Sequence, residues 1–217
     1  MLSIVSTPIG NLEDITFRAV RTLQEADIIA CEDTRTSGVL LRHYEISKPL
    51  ISFHAHSGDV KVDKIIALLK EGKHVALISD AGTPGISDPA YILVKRAVEE
   101  NITVVPIPGA SAVLSALVGS GMHMHDFRFI GFLPVKKGRE TMFKSLKDKD
   151  YTVVIYESVH RIIRTLSDFE KYFGPDYPIV VGRELTKKFE EFKHGTVREC
   201  REYFEKQNCK GEFVIVF

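Results

Sequence analysis

The sequence lacks the features that would mark a membrane protein or a secreted one. No apolar run approaches the roughly 20 residues that a helix needs to cross a membrane, and the first residues contain no basic segment of a signal peptide. The only cysteines are Cys31, Cys200 and Cys209, an odd number at unrelated spacings, which argues against a disulfide framework. These absences predict a cytoplasmic protein without a membrane anchor.

The common fingerprints of cofactor and nucleophile sites are also missing. No G-x-G-x-x-G follows an expected strand, and neither G-x-x-x-x-G-K-[ST] nor G-x-S-x-G occurs, which argues against dinucleotide, P-loop and lipase-type chemistry. Two His-x-His pairs, His54/His56 and His123/His125, could begin a zinc site, but no cysteine lies close to either pair. We therefore expect no metal, and we interpret His54 and His56 as substrate contacts.

Short apolar, β-branched runs alternate with helical patterns along the whole chain, which is typical of an α/β fold with mainly parallel sheets. The close pair of expected strands near 178–183 and 188–193 indicates a partly antiparallel second sheet. Glycine, histidine and aspartate interrupt the apolar pattern at 119–126. The sequence therefore predicts two α/β subdomains, residues 1–120 and 121–217.

The most informative stretch is Ser79-Asp-Ala-Gly-Thr-Pro-Gly-Ile-Ser-Asp-Pro89, which follows an expected buried strand. Ligands bind at the carboxyl ends of strands in open α/β sheets, where a carboxylate and small residues allow close backbone approach. The same residues are also typical of a tight strand–helix connection, with Asp88 as the helix N-cap and Pro89 at the first helical position. Spacing alone leaves both interpretations open.

Other polar or small-residue segments follow further expected strands. Glu32-Asp-Thr-Arg35 could orient a ribose hydroxyl and hold a phosphate, although a capped turn with an internal ion pair has the same pattern. The remaining segments are Thr7-Pro-Ile-Gly-Asn-Leu-Glu-Asp-Ile-Thr16, Pro106-Ile-Pro-Gly-Ala-Ser111, Gly131-Phe-Leu-Pro134, Tyr156-Glu-Ser-Val-His-Arg161 and Gly182-Arg-Glu-Leu-Thr-Lys187.

In this order, the seven segments resemble the ribosomal RNA small-subunit methyltransferase I family. Ala90, Ala110 and Val159 stand where that family leads us to expect Gly, Pro and Pro. The resemblance implies the tetrapyrrole-methylase fold, two α/β subdomains with a cofactor cleft between them, and S-adenosylmethionine as cofactor. It also implies a cytoplasmic homodimer that methylates the 2′-hydroxyl of a cytidine in the decoding region of 16S ribosomal RNA.

The resemblance and the loop chemistry together predict the site residues. A pocket for S-adenosylmethionine needs small residues, backbone donors and acceptors, and a carboxylate or carbonyl near the sulfonium. A ribose hydroxyl is a poor nucleophile whose proton needs a partner, for which the strand ends offer Asp33, Glu157 and Lys187. We assign catalysis to Asp33 and Lys187, with Arg35 clamping a phosphate. The expected cofactor contacts are Pro8, Asp80, Ala81, Gly82, Thr83, Ser111, Ala112, Tyr156, Arg183, Glu184 and Leu185.

A local excess of positive charge lies in residues 128–149, although the formal net charge of the chain is zero. Seven lysines and arginines against two acidic residues give this segment a charge of +5. We expect Lys136, Lys137 and Arg139 to contact RNA phosphates, whereas an ordinary solvated helix face would also carry such lysines.

Two other functions stay open at this stage. A tetrapyrrole-ring methylase would have the same fold and cofactor, but ring methylases typically show a Gly-x-Gly-Asp first loop, where this chain has Thr7-Pro-Ile-Gly10. A catalytically silent RNA-binding module would bind the cofactor without methylating RNA.

Overall fold

The structure, a computed structural model, describes residues 1–54, 58–207 and 210–217. His56 and Cys209 therefore lie outside the described residues. The chain forms two compact units, Met1–Ser111 and Ala112–Phe217. No helix in these described parts is both long enough and apolar enough to cross a membrane.

The first unit contains a five-stranded sheet in which every neighbouring pair of strands is parallel. The strand order is β3-β2-β4-β1-β5, so all five carboxyl ends lie along one edge. The strands are β1 (Leu2–Val5), β2 (Ile28–Cys31), β3 (Leu50–Ser52), β4 (Val75–Ile78) and β5 (Val104–Ile107).

Helices cover this sheet on both faces, because side chains that alternate along each strand pack into two separate apolar clusters. Leu2 and Leu77 belong to the cluster with α3 and α4, whereas Val5 and Ile78 belong to the one with α1. The helices are α1 (Phe17–Glu25), α2 (Thr34–His43), α3 (Gly58–Lys70) and α4 (Ala90–Glu99), with a short 3-10 turn at Leu12–Asp14.

The second unit begins with α5 (Ala112–Ser120) and contains a mixed sheet of order β6-β7-β10-β8-β9. Only β6 and β7 pair in parallel, so the prediction of a partly antiparallel second sheet is confirmed. The strands are β6 (Phe127–Phe132), β7 (Thr152–Ser158), β8 (Pro178–Arg183), β9 (Glu191–Thr196) and β10 (Glu212–Val216). The other helices are α6 (Arg139–Ser145), α7 (Ile162–Phe173) and α8 (Val197–Lys206).

The structure differs from the sequence pattern in three places. Helix α5 packs on β7, β8 and β10, so the chain divides spatially at Ser111, whereas the boundary at 120 stays a prediction about folding domains. Strand β9 covers Glu191–Thr196 instead of 188–193, because a tight turn with left-handed Glu184 and Thr186 follows β8. Pro89 is the N-cap of α4, whereas the sequence predicted Asp88 at that position and Pro89 as the first helical residue.

Candidate functional site

Three loops of the first unit are joined at the carboxyl edge of its sheet. Thr7 N–H donates to the Gly82 carbonyl at 2.9 Å, and Gly82 N–H donates to the Thr7 carbonyl at 3.1 Å. The hydroxyls of Ser6 and Thr83 lie 2.9 Å apart, and Thr83 Oγ1 also donates to the Ala110 carbonyl at 3.3 Å. Strand β1 lies between β4 and β5, so the predicted small-residue loops are not on adjacent strands but meet across the end of β1.

Small residues are needed here for the loops to approach each other. A Cβ atom at Gly109 would lie 2.8 Å from Ser6 Cβ, closer than packed carbons allow. Gly82 has a φ of +76°, and a Cβ there would lie 3.2 Å from Ile9 Cγ2. Both glycines are therefore required by the loop packing itself, and a bulky residue at Gly82 would strain the loop with or without a ligand. Among the predicted contacts, Asp80 and Ala81 are exposed while Pro8 is buried.

A group of carboxylates lies where β2 and β4 end. Asp80 Oδ1 accepts a hydrogen bond of 3.1 Å from the Asp33 N–H. Asp88 accepts from the N–H groups of Gly85 and Ala90, each at 2.8 Å, and so closes the 79–89 loop. Glu32 is half-buried beside them. Burial raises the pKa of the Glu32 carboxyl, and the negative charges of Asp80 and Asp88 raise it further.

Glu32 has a raised pKa, but it is not among the candidate catalytic residues predicted from the sequence. Its signal in the sequence was its place directly after the buried β2, one residue before Asp33. Asp80 and Asp88, whose charges act most strongly on Glu32, lie far along the chain in the 79–89 loop, and a local pattern carries no information about that proximity.

The neighbouring pair Asp33 and Arg35 forms a closed local ion pair. Asp33 is the N-cap of α2, its Oδ1 accepts from the Arg35 N–H at 2.8 Å, and its Oδ2 lies 2.7 Å from Arg35 Nη2. The side-chain and backbone hydrogen bonds from Arg35 hold the pKa of Asp33 at about 2. Its carboxylate is therefore a poor proton acceptor, whereas the Arg35 side chain, 90% exposed, stays accessible.

In the second unit, Lys187 lies in the turn after β8 between two carboxylates. Its Nζ is 2.9 Å from Glu184 Oε1 and 2.8 Å from Glu212 Oε2. Partial burial lowers the pKa of Lys187, but the hydrogen bonds and charges of Glu184 and Glu212 outweigh burial, so that the pKa lies above its usual value. The prediction that Lys187 could act as a base required a lowered pKa, and this premise is wrong.

The other predicted contacts in the second unit are also partnered. Arg183 Nη1 lies 2.6 Å from Glu191 Oε1. Leu185 is buried and packs closely against Gly182: a Cβ atom added at Gly182 would lie only 3.1 Å from Leu185 Cδ2. Tyr156 packs edge-to-face against Phe129, with ring centroids 4.8 Å apart. All of the cofactor contacts expected in this unit stay predictions.

The polar cluster near the end of β7 is a buried structural network. Glu157 is 2% exposed; its Oε1 accepts from Arg161 Nε at 2.8 Å and its Oε2 from Thr165 Oγ1 at 2.6 Å. Arg139 continues the network, with Nη2 at 2.8 Å from Thr165 Oγ1 and Nε at 2.7 Å from Asp168 Oδ2. Because both of its carboxylate oxygens are buried and hydrogen-bonded, Glu157 does not suit proton transfer to a substrate.

The same network corrects the interpretation of Arg139 as an RNA contact. Its side chain is 7% exposed and its guanidinium is occupied by Asp168, Thr165 and the Pro134 carbonyl. Lys136 and Lys137 in the preceding turn are exposed, so these two lysines stay candidates for contact with RNA phosphates. Sequence spacing could not separate the three, because the inward direction of Arg139 depends on α7.

No group of three or more His, Cys, Asp or Glu side chains that could hold a metal occurs in residues 1–54, 58–207 and 210–217.

Comparison with known proteins gives close relatives over the whole chain. Residues 1–201 match the tetrapyrrole (corrin/porphyrin) methylases. The ribosomal RNA small subunit methyltransferase I of a Synechocystis species is 46% identical over 217 residues, 100% of this chain and 78% of that protein. The protein of the same name from Thermotoga maritima is 47% identical over 215 residues, 99% of this chain and 96% of that protein.

Solved structures share the fold at much lower identity. A diphthine synthase superposes with a TM-score of 0.75 at 15% identity, covering 99% of this chain and 88% of its own. The uroporphyrin-III C-methyltransferase of Thermus thermophilus, solved in complex with S-adenosyl homocysteine, gives a TM-score of 0.67 at 16% identity and covers 99% and 96%. These two similarities concern the fold alone.

Proposed function

Because the chain belongs to the ribosomal RNA small-subunit methyltransferase I family of the tetrapyrrole (corrin/porphyrin) methylases, we propose that it methylates small-subunit ribosomal RNA with S-adenosylmethionine as methyl donor. The relatives that are 46 to 47% identical carry this name, whereas the uroporphyrin-III C-methyltransferase of Thermus thermophilus is only 16% identical. A ring-methylase function is therefore not our proposal.

The joined loops of the first unit suit this cofactor. Ala81 and Gly109 are exposed small residues and Asp80 is an exposed carboxylate, while Gly82 and Thr83 hold the loops together. When bound, S-adenosylmethionine supplies an electrophilic methyl group on a sulfonium centre. The loops contribute alignment, which is the main contribution of a protein to an in-line displacement.

Ala81→Leu tests this site better than a substitution of Gly82, because Ala81 is exposed and needs no special backbone conformation. We expect titration calorimetry to show weakened S-adenosylmethionine binding by a folded Ala81→Leu protein. The matched control is Ala67→Leu, an exposed alanine on α3. Equal affinity of both variants and the unmodified protein would place the cofactor elsewhere.

The proposed acceptor is the 2′-hydroxyl of a cytidine, and we propose Glu32 as the group that accepts its proton. Glu32 is a half-buried carboxyl at the loop edge whose pKa is raised, whereas Asp33 is held at a pKa of about 2 and Lys187 is held protonated. A stronger base removes a proton more effectively. In this proposal Asp33 positions Arg35, and Arg35 contacts the neighbouring phosphate. Lys187 stays protonated and contributes a positive charge instead of accepting a proton.

The test compares Glu32→Gln with Asp33→Asn in a single-turnover assay of methyl transfer to small-subunit RNA. Loss of a proton-transfer residue costs about 10²–10⁴-fold in rate. We expect this loss for Glu32→Gln, with unchanged cofactor binding, and a smaller loss for Asp33→Asn. A Glu32→Gln protein that works at close to the unmodified rate would contradict the assignment.

We further propose that the protein is cytoplasmic and acts as a homodimer. The support is the location of its RNA substrate and the implication of the family resemblance. Light scattering at micromolar concentration is expected to give twice the 24.4 kDa mass of the chain. A monomer that methylates RNA at full rate would overturn the dimer.

A further inference from the structure

Helix α1 begins with an aromatic side chain that is almost fully exposed among the described residues. Phe17 is 97% exposed, the highest value among the exposed large apolar residues of the described chain; Val60 follows at 81%. The opposite side of α1 buries Ala19 and Leu23. Phe17 therefore adds nothing to the core, and water contact with a full phenyl ring is unfavourable unless a partner covers it.

Two arginines accompany this ring on the same side of the helix. Residues three and four apart on a helix are neighbours, so Arg21 lies next to both Phe17 and Arg18. Arg18 and Arg21 are exposed, and within the described residues neither takes part in an ion pair. They differ in this from Arg139 and Arg161, whose guanidinium groups are held by carboxylates.

The start of α1 is held close to the carboxyl edge of the first sheet. Thr16 caps the helix by accepting from the Ala19 N–H at 3.0 Å. Tyr44 of the α2 C-cap donates to the Leu12 carbonyl at 2.5 Å, which attaches the preceding loop to a second element. The same loop starts at Thr7, which is hydrogen-bonded to Gly82. The exposed ring is therefore attached to the loops of the proposed cofactor site.

We infer that Phe17, Arg18 and Arg21 form a binding surface for single-stranded RNA, on which a base stacks against the Phe17 ring and the two guanidinium groups contact phosphates. An exposed aromatic ring beside unpaired cations is how proteins bind single strands without reading their sequence. The inference rests on the proposed function, and it assigns to the first unit an RNA contact separate from Lys136 and Lys137.

The charge of the surface favours RNA over a second copy of the chain. In the described part of the chain the two guanidinium groups have no carboxylate partner, so they would repel the same face of another copy, whereas phosphates complement both. The acidic Glu13 and Asp14 belong to the turn before the helix. A protein interface at this face is the competing result of the experiment.

The experiment measures fluorescence anisotropy of a labelled single-stranded oligocytidine of about ten nucleotides, within the usual site size. We expect Phe17→Leu, which keeps bulk but removes the ring, to weaken binding roughly fivefold to a hundredfold, and Phe17→Trp to retain it. Arg18→Gln with Arg21→Gln should lower the salt dependence, by about 0.7 in the log–log slope for each phosphate that the variant no longer neutralises. Val98→Ala, an exposed apolar residue on α4, is the control.

Light scattering and methyl transfer are recorded on the same proteins. Equal RNA affinity of Phe17→Leu and the unmodified protein would overturn the inference, as would a change in oligomeric state without a change in affinity per chain. If the unmodified protein neither binds RNA nor methylates small-subunit RNA, the proposed function fails first. If it does both and Phe17→Leu does so equally, only this inference fails.

Discussion

Two glutamates at the carboxyl ends of strands, one in each unit, have opposite surroundings. Glu157 near the end of β7 is buried and accepts hydrogen bonds from Arg161 and Thr165. Glu32, directly after β2, is half-buried; burial raises its pKa, and the carboxylates of Asp80 and Asp88 raise it further. The difference shows that a charged residue at a strand end serves structure where cations and hydroxyls satisfy it. Where burial and neighbouring carboxylates act on it, its ionised form is disfavoured and lowers stability.

The largest expected effect comes from breaking the Glu157 network. Glu157→Ala leaves Arg161 and the Thr165 hydroxyl without their partner in a buried site, and removal of one member of a buried pair costs about 3–5 kcal/mol. Urea unfolding should show this decrease in the free energy of unfolding. Glu140→Ala removes an exposed pair with Lys144 and is expected to change stability little. Similar values for both variants would contradict the structural role of the network.

The second test separates Arg139 from the lysines beside it. Lys136→Glu with Lys137→Glu should weaken RNA binding and reduce its salt dependence, by about 0.7 in slope for each phosphate that these lysines neutralise. Arg139→Ala should lower stability and leave the salt slope unchanged. Lys64→Glu with Lys73→Glu, exposed lysines of the first unit, is the matched charge control. A salt slope that falls only in Arg139→Ala would show that Arg139 itself binds RNA.

In the third test we expect that Glu32→Gln, unlike Glu157→Ala, does not destabilise the protein. Because the folded-state pKa of Glu32 is raised above 4.5, its ionised form is disfavoured in the folded state at neutral pH. The substitution should therefore slightly increase the free energy of unfolding at neutral pH, and the gain should vanish as pH falls below 4.5. A clear decrease in stability at neutral pH would show that the hydrogen bond from the Asp80 backbone outweighs burial and the negative charges around Glu32.

The smallest effect concerns Asp33. Its folded pKa of about 2 lies below the ordinary 3.8, so its contribution to stability is present above pH 3.8 and is lost as pH falls towards 2. Asp33→Asn should flatten the acid dependence of unfolding across that interval. An unchanged acid dependence would mean that the Asp33–Arg35 pair does not persist in solution.

Features that depend on neighbouring residues could be predicted best from the sequence. Apolar runs indicated the alternation of strands and helices, because a strand that is buried on both faces, such as β4, needs apolar residues in succession. Strand β9 begins later than its sequence pattern indicates, because the left-handed Glu184 and Thr186 lengthen the preceding turn without glycine. Among the candidate site residues, the small-residue loops were located correctly as loops, and their cofactor contacts stay predictions.

The sequence by itself determined the α/β alternation, the loops at the strand ends and the family, since each depends on residues that are close along the chain. Only the tertiary structure decided which charged side chains are available. Arg139 and Asp168 are 29 positions apart, Lys187 and Glu212 are 25 apart, and Asp80 reaches Asp33 across 47. Electrostatic partners of this kind are brought together by the packing of strands and helices, and it is their distance in space that determines whether a carboxylate is satisfied or reactive.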